Sequence, residues 1–367
     1  RGGLNMSYPR LAVLGLSHGY KFVERLQRCN FAKLVAVADL NIDAALKSYS
    51  IDESEVSKKK AKLVDSDVKI FQDYKDLLKE MIGKVDGVIA ALPNDLHVEV
   101  TEEVAKYRLH LLLEKPIAST IPEGEKICKI IDQSDIKCMV GHHRRFSKLI
   151  ERTKIAVQGG ELGEIIGAHV FWVGKKPDDY FKQAWRTDKK YGGPLLINTI
   201  HDIDDLRYII GDIDRVQAYT TNKFRGEEVE DSGVINIKFQ DGALATIFLT
   251  DNCPSPWFYE ACTQEYSFFY PSYYDCYFFF GKKASLAFPS LTLFSYEKEF
   301  GEGWHRPLKK QTLLAERFDV LEEELKHFCE LIEGKVESKI TAHDALRTLR
   351  VIDAIKRSSE SGNSISL

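Results

Sequence analysis

Residues 109–120 read LHLLLEKPIAST, and their order decides what kind of sheet this chain builds. Three successive leucines, Leu111, Leu112 and Leu113, bounded by polar residues, mark a strand buried on both faces; a strand with one wet face would alternate. Pro116 lacks an N–H, has a fixed φ and biases Lys115 toward extended backbone. The run therefore ends as a strand, with the opposite charges Glu114 and Lys115 at its carboxyl end. In open parallel sheets, ligands bind in the crevice outside those ends. A charged pair that only keeps a strand end soluble is the other reading of the tripeptide taken alone.

The surrounding rhythm agrees with a parallel sheet. RLAVLGL (10–16), KLVAVADL (33–40), VDGVIAAL (85–92) and KCMVGHH (137–143) read as further strands. YKFVERLQRC (20–29), LHVEVTEEVAKYRL (96–109) and PEGEKICKIIDQS (122–134) carry a helical period between them. The lysine-rich SEVSKKKAKLV (54–64) reads as a solvated helix face or loop. Strands alternating with helices at this spacing imply a doubly wound Rossmann-type α/β domain, which we set at residues 6–144.

Beyond about residue 145 the segments lengthen into IIGAHVFWVG, DRVQAYTTNKF, SGVINIKF and ALATIFLTD. The Asp-Gly turn at 241–242 helps to separate them, so residues 145–367 read as a second α/β domain with a large, mainly antiparallel open sheet. The aromatic run YSFFYPSYYDCYFFFGKKASLAF (266–288) is expected to be mostly sheet and interface. Two amphipathic helices, about 314–333 and 341–358, close the chain, with SSESGNSISL expected to fray.

Bulk properties narrow the function. The chain has 367 residues, 44% hydrophobic and 29% charged, with a net charge of -4. That balance gives no electrostatic case for nucleic acid or an anionic membrane, and no apolar stretch approaches the roughly 20 residues that span a bilayer. Seven cysteines without a CxxC spacing argue against a disulfide framework or zinc ribbon and for a reduced, cytoplasmic setting. RGGLNMSYPRL lacks an apolar signal core, and residues 1–5 read as an added leader ahead of Met6.

The loop after the first strand is GLSHGY, where a dinucleotide fold carries G-x-G-x-x-G. Gly15 is present, Ser17 takes the second glycine's place and Tyr20 the third's, with Gly19 able to supply the tight backbone. We assign Gly15, Leu16, Ser17 and His18 to the cofactor. Asp39 ends the second strand, where an acid accepts from a ribose 2′-hydroxyl and repels a 2′-phosphate, favouring NAD while leaving NADP possible. An ordinary turn with Asp39 capping a helix is the alternative. Pro93 and Asn94 close the next strand as further cofactor contacts, and His97 is expected beside the nicotinamide.

A second constellation is GGPLLINTIHDIDDLR (192–207). Asn198 and His201, three apart, share a helix face, and a buried histidine with polar neighbours can move protons near neutral pH. Upstream, Tyr180, Trp185 and Arg186 offer an aromatic surface and a forked cation suited to sugar rings. They suit a subunit contact equally well. GHHRRFSK (141–148) adds Arg145 to the substrate set. His97, His142, His143 and His201 lack metal-ligand spacing, so no metal site is expected.

Glu114-Lys115-Pro116, PNDLH, GHHRRF, GELGEIIGAHV and GGPLLINTIHDID, in this order, resemble the Gfo/Idh/MocA oxidoreductase family. The likeness runs from about residue 8 to 358. It implies an NAD(P)-binding Rossmann domain and a C-terminal domain whose sheet often forms a homo-oligomer, dimer or tetramer. It assigns Lys115 to the substrate oxygen, His201 to proton transfer and Glu114 to positioning cofactor and lysine. Many members carry an acid four residues before the histidine; here Ile197 stands there and Asn198 follows. The implied function is hydride transfer between nicotinamide and a sugar, polyol or related cyclic alcohol. The same residues also suit redox-assisted glycoside cleavage, or a non-catalytic regulator similar to the fungal galactose-pathway repressor.

Overall fold

The structure, a computed structural model, describes residues 8–47, 53–64 and 66–367; the expected leader at 1–5 lies outside them. Two compact units emerge. The first ends at His143 and takes in Val320–Leu346, and the second comprises Arg144–Asp319 and Arg347–Leu367.

In the first unit the strands are β1 (Arg10–Leu14), β2 (Lys33–Ala38), β3 (Lys69–Phe71), β4 (Gly87–Ala90), β5 (His110–Glu114) and β6 (Cys138–Gly141). Between them run α1 (Leu16–Leu26), α2 (Ile42–Lys47), α3 (Glu53–Val64), α4 (Tyr74–Glu80), α5 (His97–Lys106) and α6 (Ile121–Asp132). All strand pairs are parallel, in the order β3-β2-β1-β4-β5-β6. The leucine run behaves as its composition requires. Leu111, Leu112 and Leu113 sit between Val88, Ile89 and Ala90 on one side and Cys138, Met139 and Val140 on the other, all three fully buried. The order reverses between β1 and β4, so the loops after those two strands flank the crevice where such sheets take ligands.

Two features of this unit escape a sequence reading. β3 is a three-residue edge strand, too short to show a strand pattern in the sequence. Residues 320–346, grouped by sequence with the second domain, pack with this compact unit. Their helix packs Phe328 and Ile332 over Gly87 of β4, where a Cβ would come within 2.6 Å of the Ile332 side chain.

The second unit contains α7 (Lys148–Gln158), β7 (Ile165–Val173), α8 (Ile200–Ile209), β8 (Ile213–Thr221), β9 (Ser232–Phe239), β10 (Leu244–Thr250) and α9 (Tyr259–Thr263). Then come β11 (Tyr277–Gly281), β12 (Ala284–Phe288), β13 (Thr292–Tyr296) and β14 (Leu308–Thr312). α10 (Val320–Ile332) is the helix that joins the first unit, and α11 (Ala342–Ser361) and β15 (Ile365–Ser366) end the chain. The nine-stranded sheet is ordered β14-β13-β12-β11-β7-β10-β9-β8-β15 and is antiparallel except for β10 beside β7. One face is core: Ala218, Ile235, Ile247, Val170 and Tyr277 stand in register across five strands, each almost fully buried.

Two expectations are corrected here. Residues 264–276 are irregular rather than sheet, and the strand begins only at Tyr277. Pro271 interrupts that stretch and cannot donate to a ladder. The C-terminus does not fray: Ile365 and Ser366 pair with Val216 and Arg215 of β8, and the Leu367 N–H donates to the Asp214 carbonyl at 3.0 Å.

Candidate functional site

In the first unit, the GLSHGY loop is built for close approach despite its missing glycines. Gly15 has φ 82°, and a Cβ on it would lie 2.4 Å from the Ala91 carbonyl oxygen. Only glycine fits both the angle and the space. A Cβ on Gly19 would come within 2.9 Å of Val13, so Gly19 performs the helix-to-strand packing of the usual third glycine. Tyr20 points inward, almost fully buried, with its ring under the Lys59 ammonium at 5.3 Å. It does not obstruct the loop. Ser17 is exposed, and its N–H lies in the first turn of α1, where helix amides are free to meet an anion.

Asp39 accepts the Leu16 N–H at 2.7 Å on one oxygen and the Asn41 N–H at 2.8 Å on the other. Each oxygen keeps a lone pair for a ribose hydroxyl. Beside it lies a cavity of about 390 Å³ lined by Asp39, Asn41, Leu63 and Ile70, among others. His18 meets Glu114 across the crevice, Nε2 to Oε1 at 3.3 Å, and the Glu114 carboxylate also accepts the Lys115 N–H at 3.1 Å. The cofactor loop and the end of β5 are therefore joined. Burial alone would raise the pKa of Glu114, but His18, His143 and Lys115 outweigh it and hold the carboxyl ionised. Burial and then Lys21 lower His18, which donates as a neutral imidazole at neutral pH.

Asn94 is half-buried and Pro93 exposed at the head of α5. His97 takes a different place from the one expected beside the nicotinamide. It is fully buried, its Nδ1 3.2 Å from the Ile117 carbonyl and its Nε2 3.1 Å from that of Leu92. Burial lowers its pKa, and as a neutral ring it donates its single N–H to one of these two carbonyls. Sequence reasoning missed Glu324 on α10. It is fully buried, and among the described residues neither carboxyl oxygen finds a hydrogen-bond partner. Burial and the Glu114 charge push its pKa well up, which favours its neutral form.

In the second unit, a five-residue π-helical turn, Leu195–Thr199, leads into α8. Gly193 before it has φ 84° and no room for a Cβ, which would lie 2.4 Å from Glu230, the acid that accepts the Leu195 N–H at 2.8 Å. His201 occupies the first turn of α8 and is almost fully buried.

The aspartates around His201 are committed beneath the helix. Arg144, fully buried, donates to Asp202 at 2.8 Å, Asp205 at 3.2 Å and Glu260 at 2.7 Å, and stacks on Tyr259 at 3.8 Å. Tyr277 adds hydrogen bonds to Asp202 and Asp205. Burial pushes Asp202 up to about 6 and Asp205 up to about 8, against the opposing pull of Arg144. Arg145, placed with substrate by its sequence position, instead forks onto Asp204 at 2.8 and 2.7 Å in a buried pair. The two arginines of HRR thus hold the aspartates of HDIDD, a charge pattern visible in the sequence and read there differently.

Tyr180, Arg186 and Asn198 do come together. The Arg186 guanidinium lies 3.8 Å over the Tyr180 ring and donates to its carbonyl at 2.9 Å; Trp185 flanks it, about half exposed. Their link to Asn198 is Lys176, whose ammonium donates to Asn198 Oδ1 at 2.8 Å and lies 4.7 Å from the Tyr180 ring. Lys176 carries no sequence signal that separates it from its neighbour Lys175.

Among the described residues no group of three histidine, cysteine or acidic side chains could hold a metal, and no helix is long and apolar enough to cross a membrane. All seven cysteines are described and none forms a disulfide.

Known proteins agree with this architecture. An uncharacterized oxidoreductase YrbE of Bacillus subtilis (strain 168) is 25% identical over 356 residues, 95% of this chain and 93% of its own. Myo-inositol 2-dehydrogenase of Thermotoga maritima is 27% identical over 65% of this chain and 67% of its own. Scyllo-inositol dehydrogenase from Lactobacillus casei, solved with NAD(H) and scyllo-inositol, superposes with a TM-score of 0.73 over 98% of this chain and 99% of its own, at 19% identity. Residues 10–142 match an oxidoreductase family's NAD-binding Rossmann fold and residues 154–367 its C-terminal alpha/beta domain, so the chain belongs to the Gfo/Idh/MocA oxidoreductase family.

Proposed function

We propose that the protein is a cytoplasmic dehydrogenase that moves a hydride between nicotinamide and a CH–OH group of a sugar, polyol or related cyclic alcohol. The observation that carries the reading is Lys115 at the end of β5, next to a Glu114 carboxylate already joined to the cofactor loop through His18. Residues 6–144 hold the cofactor: Gly15 admits a close backbone, the amides of Leu16, Ser17 and His18 open α1, and Asp39 receives the ribose. The nicotinamide, when bound, supplies the hydride acceptor. Asp39, followed by the uncharged Leu40 and Asn41, favours NAD over NADP, since a carboxylate repels a 2′-phosphate.

Residues 145–367 bind the substrate. Lys115 holds the substrate oxygen and stabilises its developing charge, while His201 takes the hydroxyl proton. The myo-inositol dehydrogenase relative supports a polyol or sugar as the substrate class. The test is turnover of a sugar and polyol panel with NAD and NADP, repeated on Lys115→Met and His201→Asn. Each substitution should lower kcat by about 100-fold or more while NAD titrations stay unchanged. Protein that binds neither dinucleotide and reduces neither on any substrate would refute the reading.

A further inference from the structure

Lys176 is a cation of the second unit whose surroundings exceed what a structural lysine needs. Its ammonium has three protons. One goes to Asn198 Oδ1 at 2.8 Å and another faces Asp251 Oδ2 at 3.2 Å. Among the described residues no third oxygen partner is found, and the remaining neighbours are the faces of Tyr180 at 4.7 Å and Trp172 at 5.3 Å. Asp251 does not depend on it, because Arg225 also pairs with that carboxylate. Among the described residues the Asn198 amide nitrogen has no hydrogen-bond partner, on a half-buried residue three positions before His201.

We propose that Lys176 is a substrate-anchoring residue. With the Asn198 amide it grips two neighbouring hydroxyls of a sugar or polyol one helical turn from His201, while the Tyr180 ring covers the apolar ring face. The substrate class rests on the dehydrogenase reading above. The geometry matches a vicinal diol: one strong donor and one amide donor, joined to each other, over an aromatic wall.

Burial, together with the charges of Arg225 and Arg186, lowers Lys176 to about 7 against the pull of Glu230 and Glu260. Asp251 is the remaining charge that faces it. The sign follows directly. The ammonium is present below that value and lost above it, so anchoring weakens as pH rises through neutrality.

The test compares wild type with Lys176→Met. The variant should raise KM about tenfold or more, as expected for a lost hydrogen bond to a charged donor, with a smaller change in kcat. NAD titration and the melting temperature should hold, and the ionisation near 7 should vanish from the kcat/KM profile. An unchanged KM and profile would overturn the proposal and leave Lys176 a structural residue. If wild type turns over no substrate, the dehydrogenase reading fails separately. Lys176 is then judged by NMR of protein isotope-labelled at lysine Cε, titrated with myo-inositol and D-glucose. A shift of the signal that Lys176→Met removes supports anchoring; no shift with either compound overturns it.

Discussion

A single methyl group at position 15 would meet the Ala91 carbonyl oxygen at 2.4 Å, in a backbone conformation of φ 82° that side chains avoid. Gly15→Ala should therefore cost about 1–2 kcal/mol for the left-handed conformation alone and more for the collision. We expect loss of NAD binding by titration together with a lower melting temperature; retention of both would mean the loop relaxes without consequence. Asp39→Ala is subtler, since Asp39 anchors Leu16 and Asn41 as well as facing the ribose site. It should weaken NAD and narrow the gap to NADP, and an unchanged ratio of the two affinities would remove Asp39 from specificity. These residues were legible because spacing after a strand and chemical type suffice to find them. Glu324, Arg144 and Lys176 were not, because their importance comes from burial among residues distant in sequence. A glutamate on an amphipathic helix reads as solvated until the fold encloses it.

The elements follow the same division. Long apolar runs such as residues 85–92 and 109–114 announced themselves, whereas β3 and β15 are short strands defined by their pairing with β2 and β8. The sequence also shows α8 as a helix without showing what holds it. Arg144 and Arg145 pair with three of its aspartates, and removing one partner from a buried pair leaves a charge without compensation, a cost of about 3–5 kcal/mol. Asp205 gives the clamp a pH dependence. Burial raises it from 3.8 to about 8, so between those values the folded chain keeps a proton that the unfolded chain releases. Stability from this group therefore falls as pH rises across that window. Asp205→Asn mimics the protonated acid. It should exceed wild type in urea unfolding by more at about pH 8 than at about pH 5. A variant weaker than wild type at the higher pH would show that Arg144 needs the charge.

At the scale of the whole molecule, the outer face of the nine-stranded sheet carries a row that the core does not explain. Tyr219, Val234, Phe248 and Phe171 stand in register across four neighbouring strands, and the first three are 60%, 39% and 38% exposed. Tyr219, Val234 and Phe248 also line a cavity of about 730 Å³ on that face, with Phe224 and Cys253. Monomers rarely leave contiguous apolar surface in water, and an exposed sheet face offers the same patch to a second copy about a two-fold axis. We propose homo-oligomerisation, as dimer or tetramer, through this face. A stable dimer of this kind buries about 1,200–2,000 Å² in all, and two lysines at its centre would leave charges without partners. Val234→Lys with Phe248→Lys should therefore sediment as a monomer at concentrations where wild type does not. NAD titration should be unaffected, because the Rossmann residues are untouched. A wild type that sediments as a monomer at micromolar concentration, or a double variant that keeps the wild-type assembly, would exclude this face as the subunit contact.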